Sequence, residues 1–382
     1  MFPETDVTDV TRYVRGFDEL GIGDVPVAGG KGAGLGELTR AGVRVPPGCV
    51  VTTGAYHRVM EAVDPHGRLR RGIAELDAGD PSAVVTATAR VREQIATAPL
   101  PADVEAAILA GYARIGTGTG GGAGHPVAVR SSATGEDGHR ASFAGLQDTF
   151  LWVHGAEAVL DQVRRCWAGL FSAESVGYRL QRGIAEDGVA MAGVLQRMVD
   201  ARRSGVMFTR SPISGDRSVV VVEASWGLGS AVVGGRVTPD NWVLGKASGE
   251  VIRAAIATKV RRHRVDPVVG AVVDEEVPAP LREVPALSEA ELQALVEVGR
   301  VVEAHYGVPQ DIEWAIADGP TDAPADDSTD DSTDTMSPGP ALFLLQSRPV
   351  TARSGDPAGT YGGKNAFARD AGSASRRRPG QM

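Results

Sequence analysis

The spacing of apolar residues changes along this chain, from mostly helical in its first half to strand-like from Val189 onward. In the first half, the periodicity predicts helices at about 81–97, 101–115, 155–168 and 172–183. In the second half it predicts strands at 194–199, 204–209 and 219–223, a hairpin over 241–258, and a long helix from about Ser288 to His305. With 382 residues the chain is too long for one simple core, so we expect two or more subdomains.

The segment 127–150, VAVRSSATGEDGHRASFAGLQDTF, begins as a short buried strand and ends by returning to apolar sequence. Arg130 stands at the end of that strand, where burial without an anion would be costly, so it meets either a carboxylate or a ligand. The hydroxyl-bearing and small residues that follow suit a loop whose amides close over phosphates. An ordinary strand–loop–strand with an arginine salt bridge explains these residues equally well.

A glycine-rich turn at 27–38, VAGGKGAGLGEL, leads into a predicted helix. The free amides at a helix N-terminus and the charge of Lys31 would suit an anion. The turn is not a Walker A loop, because Gly32 follows the lysine, and its glycine spacing is not that of a dinucleotide fingerprint. A flexible turn with a solvated lysine is an equal alternative. Further along, Thr53 is predicted to cap the next helix.

Two apolar runs, DIEWA and LFLLQSR, are predicted to form the last pair of strands. Because side chains alternate along a strand, Asp311 and Glu313 share one face, and Gln346 and Arg348 share one face. If the strands pair antiparallel, Glu313 and Gln346 meet beside an arginine, and oxygen ligands with a guanidinium suit a magnesium triphosphate. The alternative is a surface hairpin that carries these charged residues on its solvent-exposed face.

Composition disfavours several other classes of function. The net charge of −9 argues against general nucleic-acid binding, and no apolar run reaches the roughly 18 residues of a membrane span. Cys49 and Cys166 lie in apolar contexts and are expected to be reduced and buried. With no signal peptide, this suggests a cytoplasmic protein. The acidic segment 318–340 and the tail 354–382 are predicted to be disordered.

Five blocks follow one another along residues 20–350: GGKGAGLGELTRAGVRVPPGCVVTT, AVRSSATGED…SFAGLQDTFL, QRMV…SGVMFT, EASWGLGSAVVGGRVTPD and DIEWA…LLQSRPV. Together they resemble the nucleotide-binding domain of the phosphoenolpyruvate synthase / pyruvate phosphate dikinase family, which includes rifampin phosphotransferases. The resemblance implies an α+β fold of the ATP-grasp type, in which two subdomains close on ATP like a clamp. The subdomains would span 1–188 and 189–353.

The resemblance also implies roles for individual residues. Contacts with the nucleotide phosphates, including the one transferred, would come from Lys31, Arg130 and Arg348. A loop over the phosphates would include Ser142, Gly145 and Thr149. The hinge that reads the adenine edge would contain Gln196, Arg197, Met198 and Val199, and Glu223 would reach the adenosine. The ligands of Mg²⁺ would be Asp311, Glu313 and Gln346.

Family enzymes also carry a swivelling domain with a phosphorylated histidine and a domain for the acceptor. This sequence has no TGG-type segment followed by Ser-His. We therefore expect an ATP-dependent phosphotransferase component. It would pass a phosphoryl or pyrophosphoryl group to a histidine on a separate partner protein, towards pyruvate or an antibiotic-like acceptor. Two alternatives stay open: a regulatory module that holds ATP without turnover, and a carboxylate-activating ligase on the same fold.

Overall fold

The computed structural model of the chain describes residues 11–115, 124–135, 148–266, 268–318 and 340–350. Ser142 and Gly145, which were predicted to cover the phosphates, lie outside these ranges. So do residues 319–339 of the predicted acidic loop and the tail 354–382.

Helices and strands alternate in an α+β arrangement, as predicted. The helices are α1 Val25–Arg40, α2 Thr53–Val63, α3 Arg68–Ala74, α4 Pro81–Thr97, α5 Ala102–Ile115, α6 Ala156–Gly169, α7 Ala173–Arg182, α8 Ser230–Val233 and α9 Glu289–Tyr306. The strands are β1 Val14–Gly16, β2 Gly48–Val51, β3 Val127–Ala133, β4 Thr149–Val153, β5 Met191–Arg197, β6 Arg203–Phe208, β7 Val219–Trp226, β8 Asp240–Gly245, β9 Val251–Ala255, β10 Arg261–Asp266, β11 Ala271–Glu276, β12 Gln310–Ala317 and β13 Ala341–Pro349.

The first sheet has five antiparallel strands in the order β1-β2-β5-β3-β4. Helices α2 to α7 cover one face of it, in a core that includes the fully buried Trp167. Alternation along β3 sends Val127 and Val129 into that core. Arg130 and Ser132 therefore point to the opposite face, which α1 covers in part.

Strand β5 lies in the middle of this first sheet, between β2 and β3. The predicted division at residue 188 assigned this strand to the second subdomain, whereas in the structure the chain passes to the second sheet between Arg197 and Arg203. All positions from Met191 to Gln196 are buried. A strand that is buried on both faces gives a clear strand signal but does not indicate which sheet it joins.

The second sheet has six antiparallel strands in the order β13-β12-β6-β7-β8-β9. Helix α9 packs on one face, in a core with Trp314 and Met207. The helix begins with a capping box, because the hydroxyl of Ser288 accepts from the amide of Glu291 while the Glu291 carboxylate accepts from the amide of Ser288. The opposite face of the sheet carries the polar side chains described below.

The start of helix α1 is fixed to the first sheet. At Gly29 the helix is interrupted by a residue with φ +66°, and a Cβ there would overlap the carbonyl and hydroxyl oxygens of Ser132. The Ser132 hydroxyl donates to the carbonyl of Ala28 at 2.8 Å and accepts from the amide of Gly32 at 3.1 Å. Only glycine suits this combination of left-handed backbone and close approach, so Gly29 sets the position of the following Lys31.

The end of helix α1 is fixed to the second half of the chain. The hydroxyl of Tyr306, the last residue of α9, donates to the carbonyl of Gly34 at 3.2 Å. The neighbouring His305 ring contacts the carboxylate of Glu37. Helix α1 is therefore held by the first sheet at its start and by α9 further along.

Two local features differ from the sequence analysis. At α2 the N-cap is Thr52, and Thr53 is the first helical residue. Neither hydroxyl caps the helix, because Thr52 donates to the carbonyl of Arg12 at 2.6 Å and Thr53 to that of Pro26 at 2.9 Å. The charged hairpin β10–β11 was not predicted at all, since its strands are matched by cross-strand ion pairs rather than by an apolar face.

Cys49 and Cys166 are both free and buried, as expected. Among the helices of the described ranges, none combines the length and the apolar character needed to cross a membrane.

Candidate active site

Arg130 joins the two sheets. Its Nη2 lies 2.6 Å from Oε1 of Gln346 and 3.3 Å from Oε2 of Glu313, and its Nη1 donates to the carbonyl of Leu345 at 2.8 Å. Arg130 itself comes from β3 of the first sheet and is only 7% exposed. Of the two partners that the sequence offered a buried arginine, a carboxylate or a ligand, the structure supplies the carboxylate. We call the surroundings of this contact the inter-sheet site, made by Arg130, Glu223, Asp311, Glu313, Gln346 and Arg348.

Other predicted residues share the face of the first sheet that carries Arg130. Thr149 lies directly opposite Arg130 on β4. Gln196 on β5 is opposite Ala128, two residues before Arg130, and therefore points to the same side. The side chain of Gln196 is buried, and its amide nitrogen has no hydrogen-bond partner within the described residues. A buried unpaired amide is costly, which suits a position where a ligand supplies the missing contact.

Lys31 lies close to the same region. The amide of Gly32, the residue after Lys31, donates to the hydroxyl of Ser132 on β3 at 3.1 Å. Asp148 precedes β4 and its carbonyl accepts from the amide of Ser131, the neighbour of Arg130. The structure thus brings Lys31 to the end of β3, on a helix that Ser132 anchors.

On the second sheet, strand register brings polar residues into one row. Glu313 pairs with Gln346 on one side and with Val206 on the other, and Val206 pairs with Glu223. Glu223 in turn pairs with Asn241. Directly opposed residues point to the same face of a sheet. Strands β12 and β13 pair antiparallel, which is the condition on which the sequence brought Glu313 and Gln346 together, and the two residues lie directly opposite each other.

A second pair lies one step along the same strands. Asp311 is opposite Arg348, and Nε of Arg348 lies 3.0 Å from Oδ2 of Asp311. Burial raises the pKa of Asp311, although Arg348 opposes this and Glu313 adds to it. The Arg348 side chain is 44% exposed whereas that of Asp311 is 16% exposed. A fixed carboxylate therefore holds a guanidinium that still faces solvent, an arrangement able to meet an incoming anion.

Asn241 contacts Glu223 of the inter-sheet site, and sequence reasoning missed it. Burial raises the pKa of Glu223, the hydrogen bond with Asn241 lowers it, and Asp311 raises it. The amide thus supports the ionised form of a carboxylate that burial and a neighbouring acid would neutralise. The alternation predicted for the 241–246 strand places Asn241 on one definite face. Without knowing the partner of β8, that pattern could not connect it to Glu223.

The chain matches the family described as "Pyruvate phosphate dikinase, AMP/ATP-binding domain" over residues 25–361. The chain belongs to this family. The ATP-grasp-type α+β fold implied by the sequence is confirmed for this AMP/ATP-binding domain.

Curated relatives include a "Probable phosphoenolpyruvate synthase" of Methanothermobacter thermautotrophicus, 42% identical over 343 residues, which are 90% of this chain and 46% of that protein. A "Rifampicin phosphotransferase" of Streptomyces sp is 44% identical over 307 residues, or 80% of this chain and 34% of that protein. A "Phosphoenolpyruvate synthase" of Aeropyrum pernix is 36% identical over 368 residues, or 90% of this chain and 43% of that protein. The chain spans less than half the length of these relatives.

The predicted adenine hinge, residues 196–199, covers the last two residues of β5 and the two residues after it. The amide of Met198 donates to the carbonyl of Pro126 at 2.9 Å, and the carbonyl of Val199 accepts from the amide of Ala201 at 2.9 Å. The side chain of Val199 is buried in a small cluster that includes Phe343 of β13. These contacts hold the segment between the two sheets. Its role in reading a base stays a prediction.

The oxygen atoms at the inter-sheet site fit a hard cation only in combination with a ligand. Within the ranges that the structure describes, no group of three or more His, Cys, Asp or Glu side chains is placed to hold a metal ion. Glu313 and Gln346 nevertheless offer two oxygens to one point, because both lie within hydrogen-bonding distance of the same Arg130 nitrogen. Asp311 is held by Arg348 instead. Two protein oxygens completed by phosphate oxygens are typical of a Mg–nucleotide site.

Proposed function

We propose that this AMP/ATP-binding domain holds Mg–ATP at the inter-sheet site and acts as the ATP-dependent half of a phosphotransferase. The observation that supports this most strongly is the contact of Arg130, on the first sheet, with Glu313 and Gln346 on the second. A cationic side chain and two oxygen ligands thereby meet between the two halves of the fold. That is the combination a metal-bound triphosphate requires.

In this proposal the chain positions charges and performs no covalent chemistry of its own. Lys31 and Arg130 bind phosphate oxygens, Thr149 lies beside Arg130, and Arg348 holds the phosphate that is transferred. Glu313 and Gln346, with Asp311 next to them, hold Mg²⁺, which when bound neutralises charge on the phosphates. Phosphoryl transfer depends mainly on such positioning and charge stabilisation, so residues of these types are sufficient for the ATP side of the reaction.

Gln196, Met198 and Val199 would meet the adenine, and Glu223 would contact the adenosine. The buried and unpaired amide nitrogen of Gln196 supports this assignment, because a base would give it a partner. Asn241 would keep Glu223 ionised for that contact.

We further propose that the acceptor is a histidine on a separate protein, from which the group passes to pyruvate or to an antibiotic-like alcohol. The names of the relatives support both destinations equally, since phosphoenolpyruvate synthases and a rifampicin phosphotransferase match over similar shares of this chain. The nucleotide product distinguishes the two possible reactions, because transfer of one phosphoryl group from ATP leaves ADP and transfer of a pyrophosphoryl group leaves AMP.

The test is a label-transfer experiment with a candidate partner that carries the histidine. ATP labelled at the β or the γ position is incubated with the chain, with and without the partner, and both proteins and nucleotides are analysed. We expect label on the partner together with ADP or AMP, abolished by Glu313→Ala and kept by Glu297→Ala, an exposed carboxylate on α9. ATP binding with neither product nor label would contradict the transferase and support the regulatory alternative. An acyl phosphate trapped by hydroxylamine would support the ligase.

A further inference from the structure

The Arg130 side chain occupies the one point to which the oxygens of Glu313 and Gln346 both turn. Its Nη2 is shared between Oε1 of Gln346 at 2.6 Å and Oε2 of Glu313 at 3.3 Å, while Nη1 is held by the Leu345 carbonyl at 2.8 Å. These oxygens are the ones assigned to the metal in the proposed function. In the structure both oxygens already accept from one cationic side chain.

We propose that Arg130 is a placeholder for the divalent cation, which keeps the metal site closed until a nucleotide arrives. A cation entering alone would have to expel a buried guanidinium and leave it without an anionic partner. An uncompensated buried charge is strongly unfavourable, so Mg²⁺ without nucleotide binds weakly. The chain consequently takes up metal and nucleotide together, and this inference rests on the proposed function for the identity of the nucleotide.

The nucleotide releases the placeholder because it offers Arg130 a better partner. Nε of Arg130 is buried and has no hydrogen-bond partner within the described residues, so the present contacts leave part of the guanidinium unsatisfied. Phosphate oxygens can accept from two guanidinium nitrogens at once. When Arg130 turns to the phosphates, the oxygens of Glu313 and Gln346 become free for the cation. The same exchange of partners therefore allows the nucleotide and the cation to bind together.

Charge at this site is balanced in either arrangement. With Arg130 in place, its positive charge is set against Glu313, which is 21% exposed at the side chain and has Gln346 as a neutral neighbour. With Mg–ATP in place, Glu313 would bind the cation and Arg130 would bind the phosphates. Before loading, Arg130 thus gives the partly buried Glu313 carboxylate a cationic partner, which a rigid empty metal site would lack.

The test measures Mn²⁺ binding by electron paramagnetic resonance in the absence of any nucleotide. For Arg130→Met we expect binding at least about ten-fold tighter than for the wild type, corresponding to about 1.4 kcal/mol. The control is Arg44→Met, which removes a positive charge that packs over Phe343 of the same strand but makes no hydrogen bond to Glu313 or Gln346. We expect this control to bind Mn²⁺ as the wild type does. Equal Mn²⁺ affinity in Arg130→Met and the wild type would overturn the proposal.

Arg130→Gln is interpreted by the same criterion if the methionine variant does not fold.

A second experiment, on the wild type alone, measures thermal stability. Mg²⁺ without nucleotide should leave the melting temperature unchanged, and Mg²⁺ with a non-hydrolysable ATP analogue should raise it. If Mg²⁺ alone stabilises the wild type as much as the complete mixture does, the placeholder is refuted. A wild type that binds no ATP would refute the proposed function, while the nucleotide-free Mn²⁺ comparison would still decide the role of Arg130.

Discussion

Replacing Gly29 by alanine tests whether the anchored start of α1 controls the nucleotide site. Two effects add at this position. With φ +66° and ψ 173° its backbone lies in a region that is essentially restricted to glycine, at a cost of about 1–3 kcal/mol for other residues, and the new Cβ would overlap both oxygens of Ser132. Overpacking against such neighbours costs about 1–3 kcal/mol more, because the strand and the helix must move apart. We expect Gly29→Ala to lose about 3 kcal/mol of unfolding free energy, leaving a folded protein if total stability is typical.

Gly42→Ala is the matched control at the other end of the same helix. Gly42 has φ +73°, yet nothing lies within 4 Å of a Cβ built there, so only the backbone effect of about 1–2 kcal/mol applies. Urea unfolding followed by tryptophan fluorescence gives both values, and calorimetry with ATP gives the affinity. We expect about ten-fold or greater loss of ATP affinity in Gly29→Ala, because Lys31 moves with the displaced turn, and less than about two-fold loss in Gly42→Ala. Equal stability and equal affinity in the two variants would refute the reasoning.

Three further outcomes are expected. Arg348→Ala should lower turnover by about 10²-fold or more, because in the proposed function its guanidinium holds the transferred phosphate, whereas Arg300→Ala on α9 should leave turnover unchanged; a near-normal rate in the first variant would remove Arg348 from the site. Burial raises the pKa of Glu223 above its ordinary value of 4.5, so folding favours the neutral acid, and this contribution is present below pH 4.5 and lost as the pH rises through the raised value. As the pH rises from 4.5 towards neutrality, the wild type should lose this contribution while Glu223→Gln does not, so the urea midpoint of the variant should rise relative to that of the wild type. A difference between the two midpoints that does not change with pH would contradict this. Burial raises the pKa of Cys49 to about 12 and also raises that of Cys166, so a thiol reagent at about pH 8 should label neither cysteine until the protein unfolds; rapid labelling of the native chain would contradict their burial.

Strand alternation, combined with the condition of antiparallel pairing, was sufficient to bring Glu313 opposite Gln346, because it concerns neighbouring strands. Glu313 and Gln346 lie on strands that are adjacent in sequence order, so the face of each residue and an antiparallel pairing were sufficient to bring them together. Arg130 could be predicted only as a buried charge in need of a partner. That its partner lies more than 180 residues further along the chain depends on how the two sheets meet, which no local pattern specifies.

The features that sequence reasoning missed depend on non-local partners. Strand β5 was recognised as a strand, but its place between β2 and β3 follows from tertiary packing of a segment buried on both faces. The hydroxyl of Thr53 was expected to cap a helix and instead found the Pro26 carbonyl, which lies on α1. Asn241 carried no recognisable motif, and only the register of β8 against β7 connects it with Glu223.

Strand β13 also contains a β-bulge that its sequence did not indicate. Gln346 is opposite Glu313 and Leu344 is opposite Trp314, so Leu345 has no counterpart on β12 and forms a bulge. Because of this extra residue, Leu344 packs in the core beneath the sheet while Gln346, only two positions later, lies on the polar face. Without the bulge, regular alternation along β13 would give Gln346 and Arg348 the same facing as Leu344 and turn both side chains towards the apolar core. The bulge therefore sets Gln346 opposite Glu313 on the polar face, and its own residue, Leu345, supplies the carbonyl that accepts from Nη1 of Arg130 at 2.8 Å.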